Sequence, residues 1–223
     1  MAKRVVLSWS SGKDSAWALY VLRQNPDVEV VGLLTTINKK FERVAMHAVR
    51  KALLEKQAKA LGMQITILEL PFPCSNDDYE AIMGEYIESI KRDVDCMAFG
   101  DLFLEDIRAY REEKLAGTGI EPIFPLWGMQ TDELSKTMVE SGLRSVITCV
   151  NPKVIPKEFC GRIYNESLLE DLPESNDPCG ENGEFHSFVF KAPTLNLDLN
   201  IRIGETIERD GFVFTDVFPE EDE

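Results

Sequence analysis

The stretch Arg4–Ser15, RVVLSWSSGKDS, decides the fold, because it holds a buried strand, a polar turn and the start of a helix in that order. Its apolar first half predicts a β-strand over Arg4–Trp9, and the pattern of Ser15–Gln24 predicts a helix that stops before Asn25-Pro26. A turn that leads from a strand into a helix directs free backbone N–H groups, and the positive end of the helix dipole, at whatever lies beside it. The stretch therefore predicts an anion-binding turn.

The turn itself, Ser10-Ser11-Gly12-Lys13-Asp14-Ser15, has the groups that a polyphosphate requires. Gly12 allows close approach of the backbone, three serine hydroxyls add hydrogen-bond donors, and Lys13 adds a positive charge. Charge-assisted hydrogen bonds are worth roughly 1.5–3 kcal/mol each, so four or five of them would hold a nucleotide firmly. The spacing differs from that of a Walker loop. A helix cap alone would explain neither the lysine nor the cluster of hydroxyls, so we predict a phosphate-binding turn.

Strands and helices alternate along the first two thirds of the chain, which predicts parallel strands joined by right-handed crossovers. The strands are apolar on both faces, so we expect a doubly wound α/β sheet with helices on both sides. Ligands bind beyond the carboxyl ends of the strands in such sheets. The expected strands are Arg4–Trp9, Val28–Thr36, Gln64–Leu70, Asp95–Gly100, Ile123–Leu126 and Arg144–Val150; the expected helices are Ser15–Gln24, Ala45–Leu61, Asn76–Arg92, Leu104–Ala116 and Asp132–Ser141.

The pattern changes after Val150, where loops with proline and glycine precede three further apolar segments. We expect a nucleotide-binding domain over residues 1–130 and a smaller α+β substrate-binding part over residues 131–223. The apolar strands of the second part offer a surface on which another copy of the chain could bury, as in a homodimer. The predicted antiparallel strands, of which the middle one alternates strictly between apolar and polar residues, are Phe185–Phe190, Leu195–Ile203 and Phe212–Phe218.

The charge balance argues against one class of partner. The chain has 223 residues, with 24 Lys and Arg against 39 Asp and Glu, and a formal net charge of −15. A protein that binds duplex nucleic acid or tRNA needs a basic surface to neutralise phosphates, so we do not expect a nucleic-acid partner. One bound nucleotide needs only a local positive pocket. Residues 171–223 are strongly acidic, which is typical of a solvated surface and also compatible with a docking face for a basic protein.

Cysteine usage and hydropathy indicate the compartment. Five cysteines occur without a C-x-x-C pair, which predicts reduced thiols in a cytosolic protein. No apolar stretch approaches the roughly 18 residues of a membrane span, and the N-terminus has no signal-peptide pattern. We therefore expect a cytoplasmic protein with no membrane partner.

The turn Ser10–Ser15 resembles the pyrophosphate loop of the N-type ATP pyrophosphatases, usually written S-G-G-x-D-S. Those enzymes adenylylate a substrate and release pyrophosphate, and the resemblance implies a Rossmann-like (HUP) topology. Ser11 stands where the pattern usually has glycine. If that position requires a positive φ, serine costs on the order of 1 kcal/mol, although its hydroxyl could add a phosphate donor.

Further segments resemble diphthine–ammonia ligases, and they span nearly the whole chain. Asn182 and Ser187 depart from that family's C-G-E-G-G-E-[FY]-[HE]-T motif. The segments are Phe99-Gly100-Asp101 with Asp106-Ile107-Arg108 and Arg111-Glu112, Pro125-Leu126-Trp127, Cys179–Ser187, and Met46-His47-Ala48-Val49 at the expected start of the second helix.

This resemblance implies a reaction in which ATP activates a carboxylate as an acyl adenylate and ammonia displaces AMP, leaving an amide. The carboxylate substrate would be a modified histidine on elongation factor 2 or, in cells that lack this modification, a small metabolite. ATP, ammonia and the carboxylate are then the partners, and Mg²⁺ is the metal cofactor.

The resemblance also implies the roles of individual residues. Asp14 would help hold Mg²⁺, which prefers a carboxylate together with phosphate oxygens. The expected catalytic residues, of which the last three position ammonia and take its proton, are Lys13, Asp14, Glu181, Glu184 and His186. The expected nucleotide contacts are Ser10, Ser11, Gly12, Lys13, Ser15, Leu34, Thr35, His47, Gly100, Asp101 and Arg108.

Several of these residues have a second interpretation that the sequence leaves open. Asp101 could cap the following helix, and His47 could be structural. Arg108 and Arg111 could meet an anion or pair with neighbouring acidic residues. Trp127 could shield the acyl adenylate from water or belong to the core.

Two other functions also stay open at this point. Related loops serve tRNA thiolation and lysidine synthesis, so a tRNA-modifying ATP pyrophosphatase is one alternative, against which the net charge of −15 counts. The other is a non-catalytic adenine-nucleotide-binding protein. Release of pyrophosphate from ATP would separate an enzyme from such a sensor.

Overall fold

The computed structural model describes residues 1–44 and 47–220, which form two six-stranded sheets and six α-helices. The N-terminal sheet contains β1 Lys3–Ser8, β2 Val28–Asn38, β3 Arg43–Val44, β4 Ile65–Leu70, β5 Cys96–Ala98 and β6 Glu121–Ile123. The C-terminal sheet contains β7 Arg144–Val150, β8 Ile163–Tyr164, β9 Phe185–Ala192, β10 Leu197–Asp198, β11 Ile201–Arg209 and β12 Phe212–Pro219. The helices are α1 Lys13–Gln24, α2 Lys51–Ala60, α3 Asn76–Ile90, α4 Glu105–Leu115, α5 Thr131–Glu140 and α6 Glu166–Asp171.

The N-terminal sheet is the predicted doubly wound α/β sheet. Strand β1 lies between β2 and β5, β4 pairs with the other edge of β2, and β6 pairs with β5, all in parallel. The short strand β3 runs antiparallel against the end of β2. Both faces are covered, because Val5 and Leu7 pack with Leu19 of α1 on one side while Val6 packs with Ile87 of α3 on the other. The carboxyl ends of β1, β2 and β5 therefore meet at one edge, as the fold class requires.

The C-terminal sheet is antiparallel, in the order β10-β9-β7-β12-β11 with β8 paired to β7. This order corrects one prediction: the strand Arg144–Val150 has the expected bounds but belongs to this sheet and not to the parallel one. The apolar run identified a buried strand, and every residue from Ser145 to Val150 is buried. Burial alone does not reveal the direction of the neighbouring strand. That neighbour, β9, lies more than 30 residues further along the chain.

Three other elements differ from the predictions by more than two residues at a boundary. Helix α2 begins at Lys51, whereas the prediction began it at Ala45; Ala48 has a left-handed backbone with φ 54°, and Ala45 and Met46 lie outside the described residues. The strand expected at Ile123–Leu126 lies over Glu121–Ile123, followed by a turn. The strand expected at Leu195–Ile203 is broken into a 3-10 turn and two strands, because Asn196 adopts the left-handed conformation at φ 57°.

The two sheets share a hydrophobic core that runs through α1 and α2. Trp17 and Leu19 of α1 belong to the same buried cluster as Phe188 and Val189 of β9. The sequence-based division at residue 130 stays a prediction. All five cysteines are free thiols. Within residues 1–44 and 47–220, no helix is long and apolar enough to cross a membrane.

One ion-pair cluster joins the sheets at their surface. Asp216 of β12 accepts hydrogen bonds from Arg43 at 2.8 Å through both oxygens, and from Arg50 at 3.0 and 2.5 Å. These two arginines hold the pKa of Asp216 down to about 2, against the opposing effect of burial. Arg43 also donates to the Ala48 carbonyl at 2.7 Å. The cluster thereby fixes Arg43 of β3 and Arg50, the residue before α2, against the C-terminal sheet.

We expect Asp216→Ala to lower the free energy of unfolding by about 1–3 kcal/mol, because two arginines would lose charge-assisted hydrogen bonds in a partly buried site. The matched control is Asp198→Ala in the same sheet, since Asp198 makes a single exposed pair with Lys191 at 3.5 Å. An exposed pair of this kind contributes about 0–1 kcal/mol. Urea unfolding measures both variants, and equal effects would contradict the special role of the Asp216 cluster.

Candidate functional site

The predicted turn between β1 and α1 has an unusual backbone at Ser11. Ser11 has φ 72°, so the position where the family pattern places glycine does require the left-handed conformation. A non-glycine residue there costs on the order of 1 kcal/mol. The Ser11 side chain is fully buried, and its hydroxyl has no hydrogen-bond partner in the described part of the chain. This hydroxyl is therefore not exposed at the surface of the turn.

The other hydroxyls of the turn converge on one point. Gly12 N donates to Ser10 Oγ at 3.3 Å, Ser15 Oγ donates to the Gly12 carbonyl at 2.9 Å, and the Ser10 and Ser15 hydroxyls are 3.1 Å apart. Lys13 N donates to Ser187 Oγ of β9 at 3.3 Å. The backbone N–H groups that face an anion at such a helix start are thus bound to hydroxyl groups, which a phosphate oxygen could replace.

Lys13 is buried at the base of the turn. Its Nζ lies 2.9 Å from both carboxylate oxygens of Asp14 and also donates to the Cys179 carbonyl. Burial opposes the charge of Lys13, but the Asp14 carboxylate outweighs this effect and the pKa of Lys13 is raised. Burial likewise raises the pKa of Asp14, in spite of the ammonium group beside it. Lys13 therefore keeps its positive charge at the turn, where the Asp14 carboxylate balances it.

Two adjoining clefts lie over the turn. The larger, here called the polar cleft, has a volume of about 320 Å³, and the smaller, the strand-end cleft, about 210 Å³. They share the lining residues Ser8, Ser10, His47, Phe99 and Arg111, so they lie side by side. The predicted site residues that line the polar cleft are Ser10, Lys13, Asp14, Ser15, His47, Gly100, Asp101, Glu181 and His186; those that line the strand-end cleft are Ser10, Leu34, Thr35 and His47.

Glu181 contributes a carboxylate from the C-terminal part to the polar cleft. Its Oε1 accepts a hydrogen bond from Leu102 N at 2.7 Å, which fixes it next to the end of β5. Burial raises the pKa of Glu181 to about 7, although the bond from Leu102 N opposes this shift. Such a carboxylate exchanges a proton near neutral pH.

Glu184 lies elsewhere. Its side chain is 3% exposed, and its Oε1 accepts hydrogen bonds from Asp177 N at 3.0 Å and from Asn182 Nδ2 at 3.3 Å. It lines neither cleft. The geometry gives Glu184 the role of closing the loop that carries Glu181, and a catalytic role for it stays a prediction.

Both histidines of the chain meet above the turn. The rings of His47 and His186 have centroids 4.6 Å apart, and His47 Nδ1 lies 3.1 Å from the Ser187 carbonyl. Because a carbonyl only accepts, His47 Nδ1 carries the proton. Burial lowers the pKa of His47 to about 4 and that of His186 to about 3, so both rings are neutral at pH 7.

Position 12 requires glycine because the Ser187 carbonyl and the His47 ring lie too close for a side chain. A Cβ atom at Gly12 would lie 3.0 Å from the Ser187 carbonyl oxygen and 3.1 Å from His47 Cε1. Gly100 is similarly close to the start of α1, since a Cβ there would lie 3.1 Å from the backbone of Asp14. Both glycines let backbone and ring approach the turn.

The structure resolves the alternatives for the two arginines of α4. Arg111 donates to Asp101 at 2.6 and 3.3 Å, lies 4.3 Å from the centroid of the Phe99 ring, and lines both clefts. Arg108 binds Glu112 at 2.8 Å and lines neither cleft. Its guanidinium lies 4.7 Å from the Trp127 ring centroid, so Trp127 supports this surface pair. Asp101 is thus an ion-pair partner, while Leu104 takes the N-cap position of α4.

Arg111 and Ser187 are site residues that the sequence did not place in the cleft. Arg111 had a signal, its motif position, but the choice between it and Arg108 depends on the direction of α4. Ser187 ends the Cys179–Ser187 segment, and its contact with Lys13 joins residues 174 positions apart.

The carboxylates suit a metal only in part. Within the described residues no group of three or more His, Cys, Asp or Glu side chains could hold a metal ion by itself. Asp14, whose side chain is 28% exposed, opens onto the polar cleft. A single carboxylate with phosphate oxygens is a common Mg²⁺ arrangement, so the donors fit Mg²⁺ when a nucleotide is bound.

Comparison with known proteins gives two family matches. Residues 2–121 match the diphthamide synthase N-terminal domain, and residues 130–216 match the diphthamide synthase C-terminal domain. No curated protein matches the chain. Among solved structures, a predicted subunit of tRNA methyltransferase from Methanocaldococcus jannaschii is 18% identical, with a TM-score of 0.38, over 60% of this chain and 73% of that chain. A similarity this low indicates nothing about the function of this chain.

The histidine pair predicts a pH dependence of stability. Unfolded histidines take up protons near pH 6.5, whereas His47 and His186 do so only near pH 4 and pH 3, so the pair stabilises the fold above pH 6.5 and loses this contribution as the pH falls towards 4. We expect the variant with both histidines changed to glutamine to lose roughly 6 kcal/mol less than the unmodified protein between pH 7 and pH 4, about 3 kcal/mol for each histidine.

Urea unfolding at several pH values between 7 and 4 measures this difference. The chain has only two histidines, so the difference between the curves reports on this pair alone. Parallel curves for the two proteins would contradict the burial of neutral imidazoles.

Proposed function

The chain belongs to the diphthamide synthase family, and we propose that it is an ATP-dependent ligase that converts a carboxylate and ammonia into an amide, with release of AMP and pyrophosphate. The observation that carries this proposal is the meeting of two distant segments in the polar cleft. The phosphate-binding turn at Ser10–Ser15 supplies cationic and donor groups, and the segment Glu181–Ser187 supplies proton acceptors beside it. An adenylylating ligase needs both within one cleft.

The turn would bind the outer phosphates of ATP. Attack at the α-phosphorus requires that the pyrophosphate leaving group is held and its charge neutralised. Ser10 and Ser15 offer hydroxyls, and Lys13 offers the buried ammonium group and its backbone N–H. Asp14 would help hold Mg²⁺, which would supply further neutralisation of the phosphate charge.

The adenosine part of ATP would lie in the strand-end cleft. Leu34 pairs with Ser8, the last residue of β1, so Thr35 is the first residue of β2 beyond the carboxyl end of β1, and both residues are buried and line this cleft. Backbone groups at such an edge recognise a base without side-chain charge. His47 lines both clefts and would stand between the base and the reacting centre.

The carboxylate substrate would react in the polar cleft in two steps. Its oxygen forms a bond to the α-phosphorus, and the bond to pyrophosphate breaks. Ammonia then forms a bond to the acyl carbon, the bond from that carbon to the AMP oxygen breaks, and the nitrogen gives up one proton. Glu181, with a pKa of about 7, would accept this proton, and the neutral ring of His186 would position the ammonia.

The identity of the acid stays a proposal with two candidates, a modified histidine on elongation factor 2 and a small metabolite. The net charge of −15 counts against a tRNA substrate. Five free thiols fit a reducing compartment such as the cytoplasm.

The direct test is the product of ATP turnover. We expect equal amounts of AMP and pyrophosphate when the protein is given ATP, Mg²⁺, ammonium and the correct acid, from a panel of small carboxylic acids and elongation factor 2 with the modified histidine. Omission of ammonium should abolish amide formation. Formation of ADP would contradict the proposal.

A pair of variants tests the proton acceptor. Glu181→Gln keeps the shape of the side chain and should lower amide formation about 100-fold while the Kd for ATP stays within about twofold, because only proton transfer is lost. Glu174→Gln is the matched control, since it changes an exposed carboxylate shortly before the same segment that lines neither cleft. Full turnover by Glu181→Gln would exclude Glu181 as the base.

A further inference from the structure

Gln57 of α2 is a fully buried polar side chain in a helix that otherwise presents apolar groups to the core. Its exposed fraction is 0%, and its helix neighbours Leu53 and Leu54 are equally buried. A buried amide is costly unless each of its polar atoms finds a partner. Its partners therefore indicate what this residue does.

Each polar atom of the Gln57 amide is satisfied. Oε1 accepts from Trp9 Nε1 at 3.0 Å, and Nε2 donates to the Ser11 carbonyl at 3.1 Å and to the Val189 carbonyl at 2.6 Å. An indole nitrogen can only donate and a carbonyl can only accept, so the orientation of the amide is fixed by its partners. Gln57 thus joins three elements: the end of β1, the phosphate-binding turn and strand β9.

The bond to Ser11 falls on the most constrained point of the turn. Ser11 has the left-handed backbone, and its hydroxyl makes no hydrogen bond within the described residues. Its carbonyl accepts two hydrogen bonds, from Gln57 and from Val189 N at 2.9 Å. The conformation of the turn is therefore held through this carbonyl, from α2 on one side and from β9 on the other.

We propose that Gln57 is a positioning residue for ATP, which keeps the phosphate-binding turn in its left-handed form and ties it to the C-terminal sheet. This inference rests on the proposed function. Gln57 itself lines neither cleft, so it acts through Ser11 and not through the ligand. The nucleotide affinity of the first sheet then depends on a correctly docked second sheet.

The test compares Gln57→Met, which keeps the length of the side chain and removes its donors and acceptor, with Leu53→Ala on the same helix. Both changes lower stability, the second by a cavity in the core. We expect Gln57→Met to raise the Kd for ATP about tenfold or more, and Leu53→Ala to leave it within about twofold. Titration calorimetry with ATP and Mg²⁺, beside thermal unfolding of each variant, gives both quantities.

Two results would overturn the inference while the proposed function stands: an unchanged Kd in Gln57→Met, or an equal rise in Leu53→Ala. Absence of ATP binding by the unmodified protein would instead remove the proposed function, and this inference with it. If Gln57→Met does not fold, the same change is made in a Ser11→Gly background, with Ser11→Gly alone as its reference, because glycine adopts a left-handed backbone without strain. We then expect a rise of about threefold in the Kd, and an unchanged value would overturn the inference.

Discussion

The carbonyl of Ser11 is the point on which the site depends. A serine in the left-handed conformation is unfavourable, and it persists because Val189 N and Gln57 both bind its carbonyl. The turn that faces the ligand thus belongs to the first sheet in sequence but is held by the second in space. Ser187 of the second sheet adds to this dependence. Its hydroxyl accepts a hydrogen bond from Lys13 N, and its carbonyl accepts one from His47 Nδ1.

Burial sets the charges of the site in a consistent way. At the turn, Lys13 and Asp14 compensate each other, so the charge survives in a buried place. In the same cleft, burial pushes Glu181 towards its protonated form and keeps both histidines neutral. The turn therefore suits an anion such as a polyphosphate, and Glu181 beside it suits proton exchange with an uncharged nucleophile such as ammonia.

Local patterns predicted much of this arrangement. The strand, turn and helix that begin the chain appear with bounds within two residues of those expected, because apolar periodicity and helix-capping signals are local. The expectation that Glu181 and His186 belong to the same site as the turn rested on the resemblance of their motifs to those of one family. What the sequence could not reveal depends on long-range partners: the sheet to which Arg144–Val150 belongs, and the buried amide of Gln57. The early start predicted for α2 was wrong for a similar reason, since Arg50 has an extended backbone and binds Asp216 of the other sheet.

The most direct test of the account is a crystal structure of the protein with Mg²⁺ and an ATP analogue whose bridge between the α- and β-phosphates cannot be cleaved. The account predicts the outer two phosphates on the turn Ser10–Ser15, the base beside Leu34 and Thr35, and the α-phosphorus open towards Glu181 and His186. A nucleotide bound elsewhere, with this turn free of phosphate, would contradict it.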